Sequence, residues 1–166
     1  MTEEKEGPIV SAQVIRESAI GLDLDDSQCA KLAAVVSRLG LSEGQALIDD
    51  GGRDDTLFVV TSGTLSVVKP VSGGDTLSLG QLQAGDMAGI LGFVDGIKHS
   101  ATIQAQTQCE LIALTRPDLE SLLSVDPELV YQVMRAVVRS AHSILSHMNS
   151  QFVEMSNYIS HQHGRY

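Results

Sequence analysis

The sequence is poor in positive charge. Eleven Lys+Arg stand against 21 Asp+Glu in 166 residues, a formal net charge of −10. Such a surface repels phosphate backbones, and no Lys/Arg cluster offsets it, so neither nucleic acid nor an anionic membrane is expected as a partner. Cysteine is also scarce. Cys29 and Cys109 lie far apart, form no metal or redox spacing, and read as two buried reduced thiols. No apolar run reaches the ~18 residues of a membrane span. The acidic opening MTEEKEGP does not have the form of a secretory signal, which leaves the cytoplasm as the expected location. Catalytic signatures are missing as well: there is no Ser-His-Asp order, paired-carboxylate motif or nucleophile elbow. The acidic run from Leu22 to Asp26 lacks the Gly and terminal Glu of an EF-hand loop. Only His99 lies in the glycine-rich middle, while His142, His147, His161 and His163 lie near the C-terminus. The clustered strand histidines of a metal-dependent β-roll enzyme are therefore absent. A non-enzymatic protein without a metal site or cofactor is expected.

What is present is ordinary globular material. Hydrophobic residues make up 43% and charged residues 19%, enough for one domain with a real core. Residues 1–8 read as a frayed polar tail. Residues 9–20 fit a short amphipathic helix through Ile9, Val10, Val14, Ile15 and Ala19. Asp26 or Ser27 suits the cap of a second helix with Leu32, Val35, Val36 and Leu39 inside, ending at Gly40. The texture then changes. Twelve of the fifteen glycines fall between Gly40 and Gly96. They separate short segments rich in Val, Ile, Leu and Thr: Gln45–Ile48, Thr56–Thr61, Thr64–Lys69, Thr76–Leu82 and Thr102–Leu114. Short strands broken by Gly about every six to twelve residues indicate antiparallel hairpins closing into a barrel or roll. Ser62-Gly63 and Gly73-Gly74 are the clearest hairpin turns. The fold class is α+β, divided into residues 1–40 (tail and helices), 41–115 (an antiparallel β-roll) and 116–166 (a short and a long helix) within one domain.

After Leu114, Pro117 suits the first turn of a short helix over Arg116–Leu123. Asp126, Pro127 and Glu128 open a longer one, with no breaker before Gly164. That is about 35 residues and roughly 50 Å of helix, more than the rest of the chain can cover. Val130, Met134, Val137, Ala141, Ile144, Met148 and Met155 keep mostly to a 4-3-4-3 spacing, which Phe152 and Ile159 extend. A seam of this kind predicts a parallel partner helix, hence a homodimer.

The segment from Gly89 to Ala105, GILGFVDGIKHSATIQA, stands apart. It is a glycine-punctuated loop running into a short apolar segment and then a strand, an arrangement that lets backbone fold closely around a small anion. It carries no Arg and no Glu; its polar candidates are Asp95, Lys98, His99 and Ser100.

The order of short helices, glycine-rich roll, short helix and long helix resembles the cyclic nucleotide-binding domain of catabolite-activator and Fnr-like regulators, kinase regulatory subunits and gated channels. The likeness runs from Leu41 to about Val138. It is carried by GQALIDDGGRDDTLFVVTSGTLSVV, by LGQLQAGDMAGILGF and by HSATIQAQTQCELIALTRPDLESLLSVDPEL, in that order. The resemblance implies a jelly-roll-like fold in which the cassette 89–101 holds a cyclic phosphate on backbone N–H groups. It places Gly89, Ile90, Leu91, Gly92, His99, Ser100 and Ala101 at the ligand. The family's Glu for the ribose hydroxyl is Ile90 here, and its phosphate-pairing Arg is His99. The polar pair that reads adenine in bacterial regulators falls near Ile144 and Leu145.

A hydrogen bond to a charged group contributes about 1.5–3 kcal/mol. Loss of the Arg contact alone then weakens binding about ten- to a hundredfold. Ordinary cyclic AMP or cyclic GMP is therefore not expected to bind tightly. His99 reads either as a weaker phosphate partner favoured at low pH or as an exposed loop residue. Lys98 reads as a point-charge substitute or a solvated side chain. Asp95 and Gly96 read as a turn, and Ile90 and Phe93 as apolar lining. The sequence given leaves no room for a recognition helix after the long helix, which also argues against DNA binding. Two readings remain. One is a degenerate signalling module that acts as a dimeric adaptor for a protein partner. The other is a sensor for a cyclic nucleotide, a cyclic dinucleotide or another phosphorylated metabolite.

Overall fold

A computed structural model describes residues 9–163, with side chains described through His161. The expected tail 1–8 and the helix end at Gly164 lie outside the described residues. Helix α1 (Ala12–Glu17) is capped by Ser11, whose hydroxyl accepts from Val14 N. Helix α2 (Asp26–Ala33) is capped by Asp25 in a reciprocal box with Gln28. The cap is thus Asp25 rather than Asp26 or Ser27. The helix also stops well before Gly40. Residues Ser37–Leu41 form strand β1, paired along its length with β8 (Cys109–Thr115). The β-branched pair Val35-Val36 ends the helical run, and β8 supplies a ladder that local propensity could not anticipate.

Two antiparallel four-stranded sheets follow. One has the order β1-β8-β3-β6, with β3 at Thr56–Ser62 and β6 at Met87–Ala88. The other has the order β2-β7-β4-β5, with β2 at Ala46–Ile48, β7 at Thr102–Ala105, β4 at Leu65–Pro70 and β5 at Thr76–Leu82. The strand-rich segment Thr102–Leu114 is a pair of strands, β7 and β8, which lie in different sheets. Gly73-Gly74 does turn the β4–β5 hairpin, closed by Val71 N donating to Asp75 O. Ser62-Gly63 is not a hairpin, because β3 and β4 belong to different sheets. Gly63 sits at φ +85, and a Cβ there would come 2.3 Å from the Gln108 carbonyl oxygen. The crossing between sheets is thus too close for any side chain.

Period-2 alternation makes β3 and β8 two-faced. Leu57, Val59, Ile112 and Leu114 point into a core shared with the helices. Phe58, Val60, Cys109 and Leu111 point into a second core between the sheets, with Ile48, Leu65, Ala88 and Ile103. Short helices α3 (Ile90–Asp95) and α4 (Arg116–Glu120) lead to the long α5 (Pro127–His163), 37 residues. Asp126 caps α5, its Oδ1 accepting from Leu129 N at 3.0 Å. Lys31 Nζ lies 2.9 Å from Asp126 Oδ2, and Arg139 lies 2.8 Å from Asp23. These two ion pairs tie the start of α5 to the α2 region. Leu129, Val130, Val133, Ala136 and Val137 are buried in the helix-side core. From His142 to His161 every described side chain but Ser156 is exposed.

Candidate functional site

Strand β6 delivers the chain to Gly89, which adopts the left-handed region at φ 79. A Cβ there would lie 2.6 Å from the Thr56 carbonyl oxygen, with Phe58 and Ile48 just behind, so glycine is required. Phe93, 2% exposed, anchors α3 in the helix-side core, and Ile90 and Val94 pack against the same cluster. Ile90, where the resemblance implies a Glu, packs against the core. Leu91 is exposed and Gly92 is buried. The helix closes at Gly96, φ 65, whose N–H donates to Gly92 O at 2.8 Å. Asp95-Gly96 is therefore the end of a helix, not a separate turn. Arg116 donates to the Val94 carbonyl at 3.4 Å and to Asp55 O through its own N–H, linking this helix end to α4.

The exit loop is tied down by His99. Its N–H donates to Gly52 O at 2.9 Å, and its carbonyl accepts from Gly51 N at 2.8 Å. Its Nε2 lies 3.0 Å from Asp54 Oδ2. The imidazole is only 9% exposed, which removes the reading of His99 as an exposed loop residue. Its tip is engaged by a carboxylate of the same chain. A Cβ added at Gly92 would fall 2.9 Å from His99 Cε1, so the ring rests directly under α3. Ser100 is exposed, and its carbonyl accepts from Lys69 Nζ at 2.6 Å. Lys69 also lies 3.8 Å from Asp50. Ala101 is half-buried and Lys98 exposed.

The structure therefore brings Gly89, Ile90, Gly92 and His99 together around α3. The loop facing them, residues 49–55, carries Asp49, Asp50, Asp54 and Asp55 against a single Arg53. Even with Lys69 and Lys98 nearby, acidic residues outnumber basic ones around the cassette, a poor field for a phosphate. Asp54, Lys69 and Arg116 are contacts that reading the loop alone does not find. The run DDGGRDD is visible in the sequence, but its register against His99 is set by tertiary pairing.

The candidate seam divides in two. Val130 and Val137 are 9% and 2% exposed and belong to the chain's own core. Tyr131 and Val138 are exposed instead, at 59% and 64%. The outward stripe is Tyr131, Val138, Leu145, Met148, Phe152, Met155 and Ile159, with half-buried Met134 and Ala141 between them, alternating three and four residues apart throughout. Arg135 lies over the Tyr131 ring at 5.9 Å. Side chains from Tyr131 to His142 outline a shallow groove of about 440 Å³ on this face. A second concavity, also about 440 Å³, lies between α1 and the end of β3, beside the Arg38–Glu110 pair. Neither includes a residue of 89–101. Among the described residues, no group of three or more His, Cys, Asp or Glu could hold a metal ion. Among them, too, no helix is long and apolar enough to cross a membrane.

Comparison with known proteins agrees with the geometry. The family model described as "Cyclic nucleotide-binding domain" matches residues 38–126. The cAMP-activated global transcriptional regulator CRP of Salmonella typhimurium is 29% identical over 94 residues, covering 56% of this chain and 45% of that protein. The chain thus spans less than half the length of the curated regulator it matches. A cyclic nucleotide-binding domain from Methylobacillus flagellatus superposes with a TM-score of 0.81 at 17% identity, over 89% of this chain and 87% of that one. The N-terminal domain of a transcriptional regulator from Streptomyces coelicolor A3(2) superposes at 0.68 with 32% identity, over 81% and 94%.

Proposed function

The chain belongs to the cyclic nucleotide-binding domain family, and we propose that it is a non-enzymatic signalling module whose cassette no longer serves ordinary cyclic AMP or cyclic GMP. One observation carries this reading: the imidazole of His99, which the resemblance puts in the place of the phosphate-pairing Arg, is engaged by Asp54 at 3.0 Å. Ile90 adds no acceptor for a ribose hydroxyl, and the facing loop adds carboxylates. Ile144 and Leu145, 40% and 58% exposed, offer an adenine no hydrogen bond.

In this reading the output is a dimeric adaptor. The exposed stripe of α5 pairs with the same stripe of a second copy in parallel, because its three-four spacing is that of a left-handed coiled coil. A protein partner is then recruited by the dimer. Sedimentation of the chain as a dimer supports this, and a monomer at tens of micromolar removes it.

The second reading, a true sensor, is supported by the tight left-handed turn at Gly89 leading into α3. Thermal denaturation with excess cyclic AMP, cyclic GMP and cyclic di-GMP separates the two. A ligand at a hundred times its Kd adds about 2.7 kcal/mol, a shift of several degrees for a chain of this size. No shift with any nucleotide is expected. A clear shift with one of them puts the sensor first.

A further inference from the structure

Three segments meet at one side-chain pair beside the cassette. His99 comes from the exit loop, Asp54 from the loop before β3, and Gly92 from α3. The side chains of His99 and Asp54 are 9% and 35% exposed. Asp54 Oδ2 faces the imidazole at 3.0 Å, and Oδ1 accepts from Thr56 N at 3.2 Å. An ionised carboxylate can only accept, so the imidazole Nε2 donates. Two backbone hydrogen bonds between His99 and residues 51–52 hold the ring at this height. The ring's Cε1 then fills the space where a Gly92 Cβ would stand.

We propose that Asp54 is the specificity-determining residue of the cassette: it is the internal hydrogen-bond partner of His99, it keeps α3 docked without a ligand, and it makes the cassette reject anions. The proposal rests on the reading of the cassette as degenerate and gives that reading a cause. An anion seeking His99 must displace a carboxylate that is already in place. Displacement leaves half-buried Asp54 Oδ2 without its imidazole donor, while Oδ1 keeps only Thr56 N. The same loop carries Asp49, Asp50 and Asp55, of which, among the described residues, only Asp50 has a lysine, Lys69, within 4 Å, so the loop adds like charge against an anion. An intramolecular partner is present at high effective concentration, which a dilute metabolite does not match.

The test is hydrogen–deuterium exchange on the full chain, comparing wild type with Asp54→Ala and His99→Ala, each with and without about 1 mM cyclic AMP, a level that fills any site of micromolar Kd. Amides of 89–98 report the cassette, and those of buried Leu111–Leu114 report the whole fold. The expected result is slow wild-type cassette exchange that the nucleotide does not alter. Both variants should exchange about tenfold or more faster at the cassette while β8 stays protected. Asp54→Ala alone should be slowed again by the nucleotide, because only it retains a free His99. Cassette exchange within about twofold of wild type in both variants overturns the proposal. So does equal loosening of β8, or an Asp54→Ala cassette that loosens yet ignores the nucleotide. A wild-type cassette that the nucleotide protects removes the degenerate reading. In that case Asp54 still stands as a brake if Asp54→Ala responds at lower nucleotide, and falls with that reading if it does not.

Discussion

Leu129→Ala and Phe152→Ala truncate two side chains of the same helix and should have unlike consequences. Leu129 is 0% exposed in the helix-side core, whereas Phe152 is 64% exposed on the projecting part of α5. Truncating a buried Leu costs about 2–5 kcal/mol, the transfer loss plus the cavity left behind. For a chain of this length, each kcal/mol lowers Tm by about 2–4 °C. Leu129→Ala is therefore expected to lower Tm by about 4–20 °C at every protein concentration. Phe152→Ala leaves no cavity within a protomer. In the proposed dimer its effect falls on association, where removing a Phe buried between copies costs about 3 kcal/mol or more, at least a hundredfold in dimer affinity. The assay is thermal denaturation over about 1 to 100 µM, with sedimentation in parallel. A dimer's Tm rises with concentration by mass action. In Phe152→Ala that rise should vanish while the low-concentration Tm stays at the wild-type value. A Phe152→Ala Tm that falls as far as that of Leu129→Ala in the most dilute sample would refute the division of α5 into a docked half and a projecting half.

Other consequences follow from single contacts. Asp126 is held below its ordinary pKa of 3.8 chiefly by the hydrogen bond from Lys31, and Asp23 by that from Arg139. A depressed folded-state pKa contributes stability that is present above the unfolded pKa and lost as pH falls through the folded one. Acid titration of stability should therefore steepen below about pH 4, and Lys31→Ala and Arg139→Ala should each flatten that limb by lowering stability from neutral pH to about pH 5 while changing little in strong acid. Gly63→Ala should destabilise by several kcal/mol in chemical denaturation, since φ +85 and a 2.3 Å approach to Gln108 O both oppose a Cβ. Loss of less than about 1 kcal/mol would show that the sheet crossing relaxes freely. Burial pushes the Cys29 thiol up, more than Arg16 offsets. Cys29 should thus resist aromatic disulfide reagents in the native chain and react on unfolding.

Much of the architecture was legible in the chain because local chemistry repeats it. The glycine spacing, the LFVV run buried on two faces and the Asp126-Pro127 helix start each announce their element without help from elsewhere. Strand β1 and the two-residue β6 were not legible, since each is a strand only through its partner, β8 or β3. The seam on α5 was displaced for a related reason. A heptad pattern shows that a helix has an apolar stripe, but Val130 and Tyr131 are adjacent, and only the docking of α5 on the α1–α2 core decides which of them faces outward. At the cassette, the sequence determined the glycine frame and the loss of Arg and Glu, because these are residue identities at fixed spacing. The tertiary structure alone decided what His99 does in their absence. Asp54 is 45 residues away in the chain, and a contact at that separation is fixed by the closing of the roll, not by anything the loop itself encodes.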